Sequence, residues 1–153
     1  MSETRTVDPQ TRGEIEQLIT EMLWRLDHGQ ADRLWELYTE DGVSDGPMGV
    51  MEGRESLRAW GEKRAAAPAP NGRHHLGGIR LAWQGEDLIG YVQYVTYRES
   101  SAEPLLPASV GEFHEVYRRV DGEWRFASRT IRPLFGGANA AAHARAVNGQ
   151  AAS

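Results

Sequence analysis

The sequence predicts an α+β fold in which three N-terminal helices are followed by an antiparallel β-sheet. Two observations favour this fold. Apolar residues recur at helical spacing in the first part of the chain, and from residue 73 the pattern changes to runs rich in β-branched and aromatic residues. Helices that precede the strands, rather than alternating with them, are typical of this class. A curved sheet wrapped around helices would enclose a cone-shaped cavity.

The first helix follows residues 1–8, which we expect to form a disordered arm. It begins at Asp8-Pro9, where an N-cap residue precedes a proline, and it ends before Gly29. Its apolar stripe contains Ile15, Leu18, Ile19, Met22, Leu23 and Leu26. Two further helices are predicted over about 31–38 and 53–66, separated by a turn-rich segment, 41–52, with one short strand.

Four strands are predicted in the second half, over residues 75–83, 88–98, 110–120 and 124–133. Gln84 to Asp87 and Asp121-Gly122 are the hairpin turns, and the second is typical of type I′. Residues 9–135 therefore form a single domain. The Ala/Gly-rich tail, 136–153, is either a loose lid or disordered.

Composition narrows the classes of function. The chain has 17 basic and 22 acidic residues, a net charge of −5, and no Lys/Arg-rich run, so we expect no nucleic-acid partner. It has no cysteine, which excludes disulfides and a thiol nucleophile. No apolar run is long enough to cross a bilayer, and the N-terminus lacks the apolar segment of a secretory signal. We therefore expect a cytoplasmic protein without a membrane partner.

Asp27 and His75 are the residues that suggest a reaction. Asp27 lies at the C-terminal end of the first helix, where the helix dipole disfavours an acid, so a purpose other than helix stability is indicated. His75 opens the first long strand. If the fold brings them together in an apolar cup, they form an acid/base dyad. Two alternatives stay open: His75 bonded to backbone at the strand entrance, and Asp27 capping the turn at Gln30–Asp32.

These features resemble the nuclear-transport-factor-2-like superfamily, and within it the SnoaL-like polyketide cyclases and scytalone dehydratase. The resemblance to the dehydratase covers roughly residues 22–133. Its motifs are Asp27 with Asp32-Arg33-Leu34, His75 with Gly77-Gly78, Ile89-Gly90-Tyr91, and Asp121-Gly122-Glu123-Trp124. The resemblance implies a cystatin-like α+β barrel, in which the three helices pack in a strongly curved antiparallel sheet that forms a cone-shaped cavity. It places the dehydratase's aspartate and one of its two histidines at Asp27 and His75. The dehydratase's other polar residues fall at Leu26, Gly46, Arg98, Gly111 and Phe113, where this chain departs from the pattern.

The resemblance also implies a set of substrate-binding residues. It places Arg129 on the concave face of the sheet, where it would bind an anion, an enolate or the dyad's carboxylate, with Glu115 as a partner. Tyr94 would bond to a substrate oxygen. The apolar walls would include Trp24, Trp60 and Phe113. The alternatives are an Arg129 on the outer surface and aromatic residues that belong to an ordinary core.

The function implied is a cofactor-independent enzyme that dehydrates, cyclises or isomerises a hydrophobic cyclic or polyketide-like molecule, with His75 as the base and Asp27 orienting it. A second possibility is a non-catalytic binding or dimerising module, or a structural subunit like the small subunit of ring-hydroxylating dioxygenases. A third is epoxide opening, which Glu115 leaves open. The histidine spacing predicts no metal site. We expect a homodimer through the convex face of the sheet, around Tyr91, Gln93 and His114.

Overall fold

Three helices and six strands make up the part of the chain that the computed structural model describes, residues 5–67, 71–99 and 104–136. In order they are α1 (Pro9–Asp27), a 3₁₀ helix (Ala31–Leu37), β1 (Tyr38–Gly46), β2 (Gly49–Glu52), α2 (Gly53–Ala66), β3 (Gly72–Gln84), β4 (Asp87–Arg98), β5 (Ser109–Val120) and β6 (Glu123–Phe135). The strands form one curved, open sheet in the order β2-β1-β6-β5-β4-β3. The predicted tail after residue 136 and residues 1–4 of the predicted arm lie outside the described residues.

The start and end of α1 follow from its capping residues. The Asp8 carboxylate accepts a hydrogen bond from the Thr11 backbone N–H at 2.9 Å, and Pro9 occupies the first turn. At the other end, Gly29 adopts a φ of 72°, which turns the chain away from the helix axis. The arm contacts the rest of the protein: Val7 packs against the core, and the Arg5 guanidinium carbon lies 4.0 Å from the Trp83 ring centroid.

The segment from residue 41 to residue 52 differs from the sequence prediction. It belongs to two strands rather than one, because β1 continues through Asp41-Gly42 as far as Gly46. Its register against β6 shifts between Tyr38 and Val43, so these turn-forming residues lie at an irregularity inside the strand instead of ending it.

The predicted α+β fold, with three helices and a curved sheet, is confirmed, but the sheet is mixed rather than antiparallel throughout, because one pair of strands is parallel. β1 runs parallel to β6, with Ser44 opposite Arg129, and antiparallel to β2, with Ser44 opposite Met51. The remaining neighbours, from β3 to β6, form the predicted antiparallel meander. Asp121 and Gly122 both have positive φ, 51° and 83°, as a type I′ turn between β5 and β6 requires.

A β-bulge divides β3. Leu76 pairs with Tyr94 and Ile79 pairs with Val92, so Gly77 and Gly78 together oppose the single residue Gln93. Glycine suits this place because a Cβ at Gly77 would lie 3.1 Å from the Gln93 Cβ. The extra residue reverses the alternation of inward and outward side chains along the strand.

The helices pack on the concave face of the sheet. The 3₁₀ helix and α2 come close at Gly61, where a Cβ would lie 2.2 Å from the Ala31 carbonyl oxygen. No helix in residues 5–67, 71–99 and 104–136 is long and apolar enough to span a membrane.

On the convex face, Tyr91 is 37% exposed and its ring meets the His114 ring edge to face. The homodimer expected through this face stays a prediction.

Candidate functional site

A cavity of about 430 Å³ lies between the concave face of the sheet and the helices. Its wall is mainly apolar and includes Met22, Leu34, Met51, Leu57, Trp60 and Phe113. Polar and charged side chains reach it from β3, β4, β6 and α2: His74, Tyr94, Thr96, Arg64, Arg98 and Arg129. Such a mixture, an apolar chamber with a few polar groups, is typical of small-molecule sites.

Asp27 and His74 form the closest acid/base pair at this cavity. The His74 Nδ1 lies 2.6 Å from Asp27 Oδ1, and the His74 backbone N–H donates to Asp27 Oδ2 at 2.8 Å. The carboxylate at the end of α1 therefore holds both the ring and the backbone of one residue at the start of β3. Because an ionised carboxylate only accepts, Nδ1 carries the proton and Nε2 is left with its lone pair.

The electrostatics of this pair favour a charged acid and a neutral imidazole. Burial raises the pKa of Asp27, but hydrogen bonds and charge from His74 outweigh burial, so that pKa lies below its ordinary value. Burial lowers the pKa of His74 more than Asp27 raises it, and the charges of Arg98 and Arg129 lower it further. At neutral pH, His74 is thus a neutral group with a free ring nitrogen, which is the form of a general base.

The predicted partner of Asp27, His75, is the wrong one of the two neighbouring histidines. His75 is exposed and lies against Tyr97 on the outer face, with ring centroids 5.9 Å apart. The bulge accounts for which of the two histidines faces inward. Simple alternation back from the inward Ile79 would place His75 on the inner face, but the extra residue in the bulge turns His74 inward instead.

Arg129 and Glu115 lie on the concave face, as expected, and form a buried ion pair. Their side chains are paired across β5 and β6, with Arg129 Nε 3.2 Å from Glu115 Oε1. The Tyr117 hydroxyl donates to Glu115 Oε2. Burial raises the pKa of Glu115, and Arg129 opposes that rise. Glu115 is not part of the cavity wall, so the structure does not support the direct substrate contact predicted for it.

Tyr94 reaches the cavity beside Phe113, as predicted. The two rings stack with centroids 4.2 Å apart, and the Tyr94 hydroxyl is 3.0 Å from Ser109 Oγ, which also lines the cavity. Gly111 leaves room for this hydroxyl, since a Cβ there would lie 2.9 Å from it. Tyr94 and Ser109 thus form a hydrogen-bonded polar pair in the cavity wall.

Of the two tryptophans predicted to line the cavity, one does and one does not. Trp60, on α2, lines the cavity. Trp24 does not: it is 54% exposed and stacks on His28 with ring centroids 3.8 Å apart. Two residues along a helix correspond to a rotation of about 200°, so Trp24 faces away from the side of α1 that buries Met22.

Two arginines of the cavity wall, Arg64 and Arg98, were not among the predicted substrate-binding residues, although the resemblance places Arg98 on the cavity side of its strand. Arg98 lies on the inward face of β4 with Tyr94 and Thr96, so the alternation of side chains along this strand could have identified it as a cavity residue. Arg64 lies in the last turn of α2, where a basic residue is common for helix stability alone, and its sequence position carries no further signal. Among the described residues, no group of three or more His, Asp or Glu side chains could hold a metal ion.

Comparisons with known proteins agree with this geometry. A sequence profile of the SnoaL-like domain matches residues 9–130. Comparison with curated proteins gives no match. Among solved structures, Rv3472 from Mycobacterium tuberculosis, a protein of unknown function, is 20% identical with a TM-score of 0.78, and the match covers 93% of this chain and 94% of that one.

Two other solved structures share the fold. A candidate scytalone dehydratase from Novosphingobium aromaticivorans is 19% identical with a TM-score of 0.70, over 82% of this chain and 85% of that one. The β subunit of a candidate aromatic-ring-hydroxylating dioxygenase from the same organism is 14% identical with a TM-score of 0.69, over 81% and 89%. From the profile match over most of its length and from the curved sheet around a cavity, the chain belongs to the SnoaL-like domain family, with its cystatin-like α+β fold.

Proposed function

We propose that the protein is an acid/base enzyme that dehydrates, cyclises or isomerises a hydrophobic cyclic molecule without a cofactor, with His74 as the base and Asp27 as the residue that orients it. The observation that carries this proposal is the 2.6 Å contact between Asp27 and a neutral His74 that lines a mainly apolar cavity. The fold shared with a candidate scytalone dehydratase makes dehydration the first reaction to test.

In a dehydration, His74 Nε2 takes a proton from the carbon next to a substrate carbonyl. The electron pair moves to the carbonyl oxygen, where the Tyr94 hydroxyl or Arg129 stabilises the developing charge. Asp27 stabilises the imidazolium that forms. The enolate then expels the β-hydroxyl group, which takes the proton from His74 and leaves as water. Acid/base catalysis of this kind contributes about 10²–10⁴-fold.

Adjacent histidines offer a matched test. We expect His74→Gln to lower kcat/KM by about 10²–10⁴-fold, because the base is lost. His75→Gln changes a histidine outside the cavity wall and should leave kcat/KM within about threefold of the original protein. The probe is 3-hydroxy-1-tetralone, which loses water to give 1-naphthol, followed by absorbance. Exchange of the α-protons of 1-tetralone with D₂O, followed by NMR, detects proton transfer if elimination is slow.

The opposite result would mean that a residue other than His74 is the base. Equal losses in the two variants, or a larger loss in His75→Gln, would contradict His74 as the base. If neither reaction is accelerated by the protein while ring compounds still bind, the second candidate, a non-catalytic binding module, takes its place. That candidate is supported by the cavity alone, since an open chamber serves binding as well as catalysis.

Two other functions have less support. A purely structural subunit would fill its cup with side chains, whereas this cup retains a chamber of about 430 Å³. Epoxide opening calls for more carboxylates at the ligand, but Glu115 is engaged by Arg129 and Tyr117 and lies outside the cavity wall.

A further inference from the structure

The cavity is positively charged, although the protein as a whole is not. Three arginines line it, Arg64, Arg98 and Arg129. Against them, the described carboxylates at the site are Asp27, which is bonded to His74, and Glu115, which is paired with Arg129. This leaves one positive charge in excess, in a chain whose net charge is −5. A cationic chamber in an acidic protein indicates selection for an anion.

Arg98 is placed next to the acid/base pair by the register of β3 and β4. His74 is opposite Thr96, and Gly72 is opposite Arg98, so Arg98 is the diagonal neighbour of His74 on the same face. The Arg98 side chain crosses Gly72, where a Cβ would lie 3.3 Å from Arg98 Cγ. A ligand group held by Arg98 would therefore lie within one side-chain length of the His74 ring.

Arg64, in the last turn of α2, lines the same cavity as Arg98. Its charge lowers the pKa of Arg98, an effect second to that of burial, while the charge of Asp27 raises the pKa of both arginines. Neither guanidinium has a carboxylate within 4.0 Å in the described part of the chain. Two neighbouring cations without direct partners repel each other, and an anion between them would relieve that repulsion.

Several buried N–H groups in the cavity wall also lack hydrogen-bond acceptors. The buried Nε of Arg98, the Nε1 of Trp60 and the Nη1 of Arg129 have no hydrogen-bond partner among the described residues, whereas the Nε of Arg129 faces the Glu115 carboxylate. Arg129 is 3% exposed and lies over the Phe113 ring, 3.8 Å from its centroid. A ligand that fills the chamber without oxygen acceptors would seal these donors away from water, which is unfavourable.

We infer that the ligand is a hydrophobic ring compound carrying one carboxylate, which binds between Arg64 and Arg98 while the rings lie on the apolar wall. This inference rests on the proposed function only in placing the reacting atoms beside His74. A carboxylate suits the site because it is planar and accepts from two guanidinium groups at once. A monoanion also matches the single charge in excess, whereas a phosphate ester would bring close to two negative charges.

The test compares ligands of one shape and different charge. Ring carboxylates of increasing size (benzoate, 2-naphthoate and 2-anthroate) are each titrated against their primary amide by calorimetry at pH 7.5. We expect at least one carboxylate to bind about tenfold or more tightly than its amide. 2-Naphthyl phosphate should bind more weakly than 2-naphthoate. The absence of a carboxylate preference in every pair, or tighter binding of the phosphate, would overturn the inference.

Variants locate the subsite. Arg98→Gln and Arg64→Gln should each abolish most of the carboxylate preference, whereas Arg58→Gln, an exposed change on the same helix as Arg64, should keep it. Circular dichroism checks that each variant is folded, and Arg98→Lys should restore part of the preference. A preference that survives both Arg64→Gln and Arg98→Gln would contradict the assigned subsite.

His74→Gln separates this inference from the proposed function. The carboxylate preference should persist in this variant, because the guanidinium groups remain. If His74→Gln loses turnover but retains the carboxylate preference, both proposals are supported. If the original protein shows the carboxylate preference but no turnover, the anion site is supported and the enzyme proposal fails. Loss of the preference in folded His74→Gln would contradict a separate anion subsite.

Discussion

His74 and His75 are neighbours in the chain, yet only His74 lies beside a carboxylate and faces the cavity. The difference between them is one of environment rather than of residue type. Asp27 fixes the His74 ring and also accepts from its backbone N–H, so neither the ring nor the strand can turn without loss of a hydrogen bond. An imidazole held in this way keeps one tautomer, which a base requires.

The coupling within this pair can be measured directly. In Asp27→Asn, the pKa of His74 should fall further below its ordinary value, because the carboxylate is the group that raises it against burial. NMR titration of the His74 ring protons in both proteins gives the answer. The His75 signals serve as the internal control, since His75 does not contact Asp27. A His74 pKa that stays in place would mean that the two side chains are apart in solution.

The ion pair of Arg129 and Glu115 makes a second prediction at this scale. Glu115→Gln should lower the free energy of unfolding by about 3 kcal/mol, because the buried Arg129 would lose its charged partner. Urea denaturation measures this. Glu112→Gln, which changes a partly exposed residue on the opposite face of β5, is the control and should cost less than about 1 kcal/mol. Equal effects would mean that Arg129 finds compensation elsewhere.

Residues of the site differ in how far the sequence predicts them. The pairing of Arg129 with Glu115 can be predicted, because both follow the inward alternation of neighbouring antiparallel strands. Arg64 cannot, because its contact with the site depends on where the end of α2 meets the sheet. Asp27 stands out in the sequence because an acid is unfavourable at the C-terminal end of a helix. Its partner cannot be predicted in the same way, because it depends on which residues of β3 face inward.

At the scale of elements, the close approach of α2 to the 3₁₀ helix depends on Gly61. Gly61→Ala should destabilise the protein by about 1–3 kcal/mol, although alanine is the better helix former, because the added methyl group would collide with the Ala31 carbonyl. Thermal denaturation measures the change. Gly13→Ala in α1 is the matched control, since nothing lies within 4 Å of a Cβ there, and it should leave stability unchanged or raise it. A neutral Gly61→Ala would mean that the two helices separate easily.

The elements that alternate cleanly were predictable, and the irregular ones were not. The predicted strands of the meander and α2 agree with the structure, since each has the periodicity of its own secondary structure apart from the bulge in β3. One short strand was predicted within residues 41–52 where the structure has two, because Asp41-Gly42 is typical of a turn, although here it lies at an irregularity within β1. The parallel pairing of β1 with β6 joins two strands separated by most of the chain, and no local pattern specifies such a partner.

For the whole molecule, the buried pair makes stability depend on pH. The pKa of His74 in the folded protein is lowered from 6.5. Below about pH 6.5, His74 therefore binds a proton in the unfolded chain but stays neutral in the folded protein. The free energy of unfolding should therefore fall as the pH drops from 6.5 towards the folded pKa, by up to about 1.4 kcal/mol per unit. The pKa of Asp27 is lowered from 3.8, so its contribution is lost only in more acid solution.

Urea denaturation at pH 7.5, 6.0 and 5.0 tests this dependence. His74→Gln, which cannot titrate there, should show a shallower slope over the same range. The prediction fails if the slope is unchanged by His74→Gln. The same experiment reports on the site, because the proton that destabilises the fold is also the one that would inactivate the base.

The bulge at Gly77-Gly78 has a consequence for comparing this chain with its relatives. One extra residue in β3 separates the part of the strand that carries His74 from the part that packs with Ile79. In a relative without that residue, an alignment drawn through β3 without a gap would match its inward histidine to His75 rather than to His74. Equivalent functional positions on the two sides of the bulge should therefore be assigned from superposed strands, with the gap placed at the glycines.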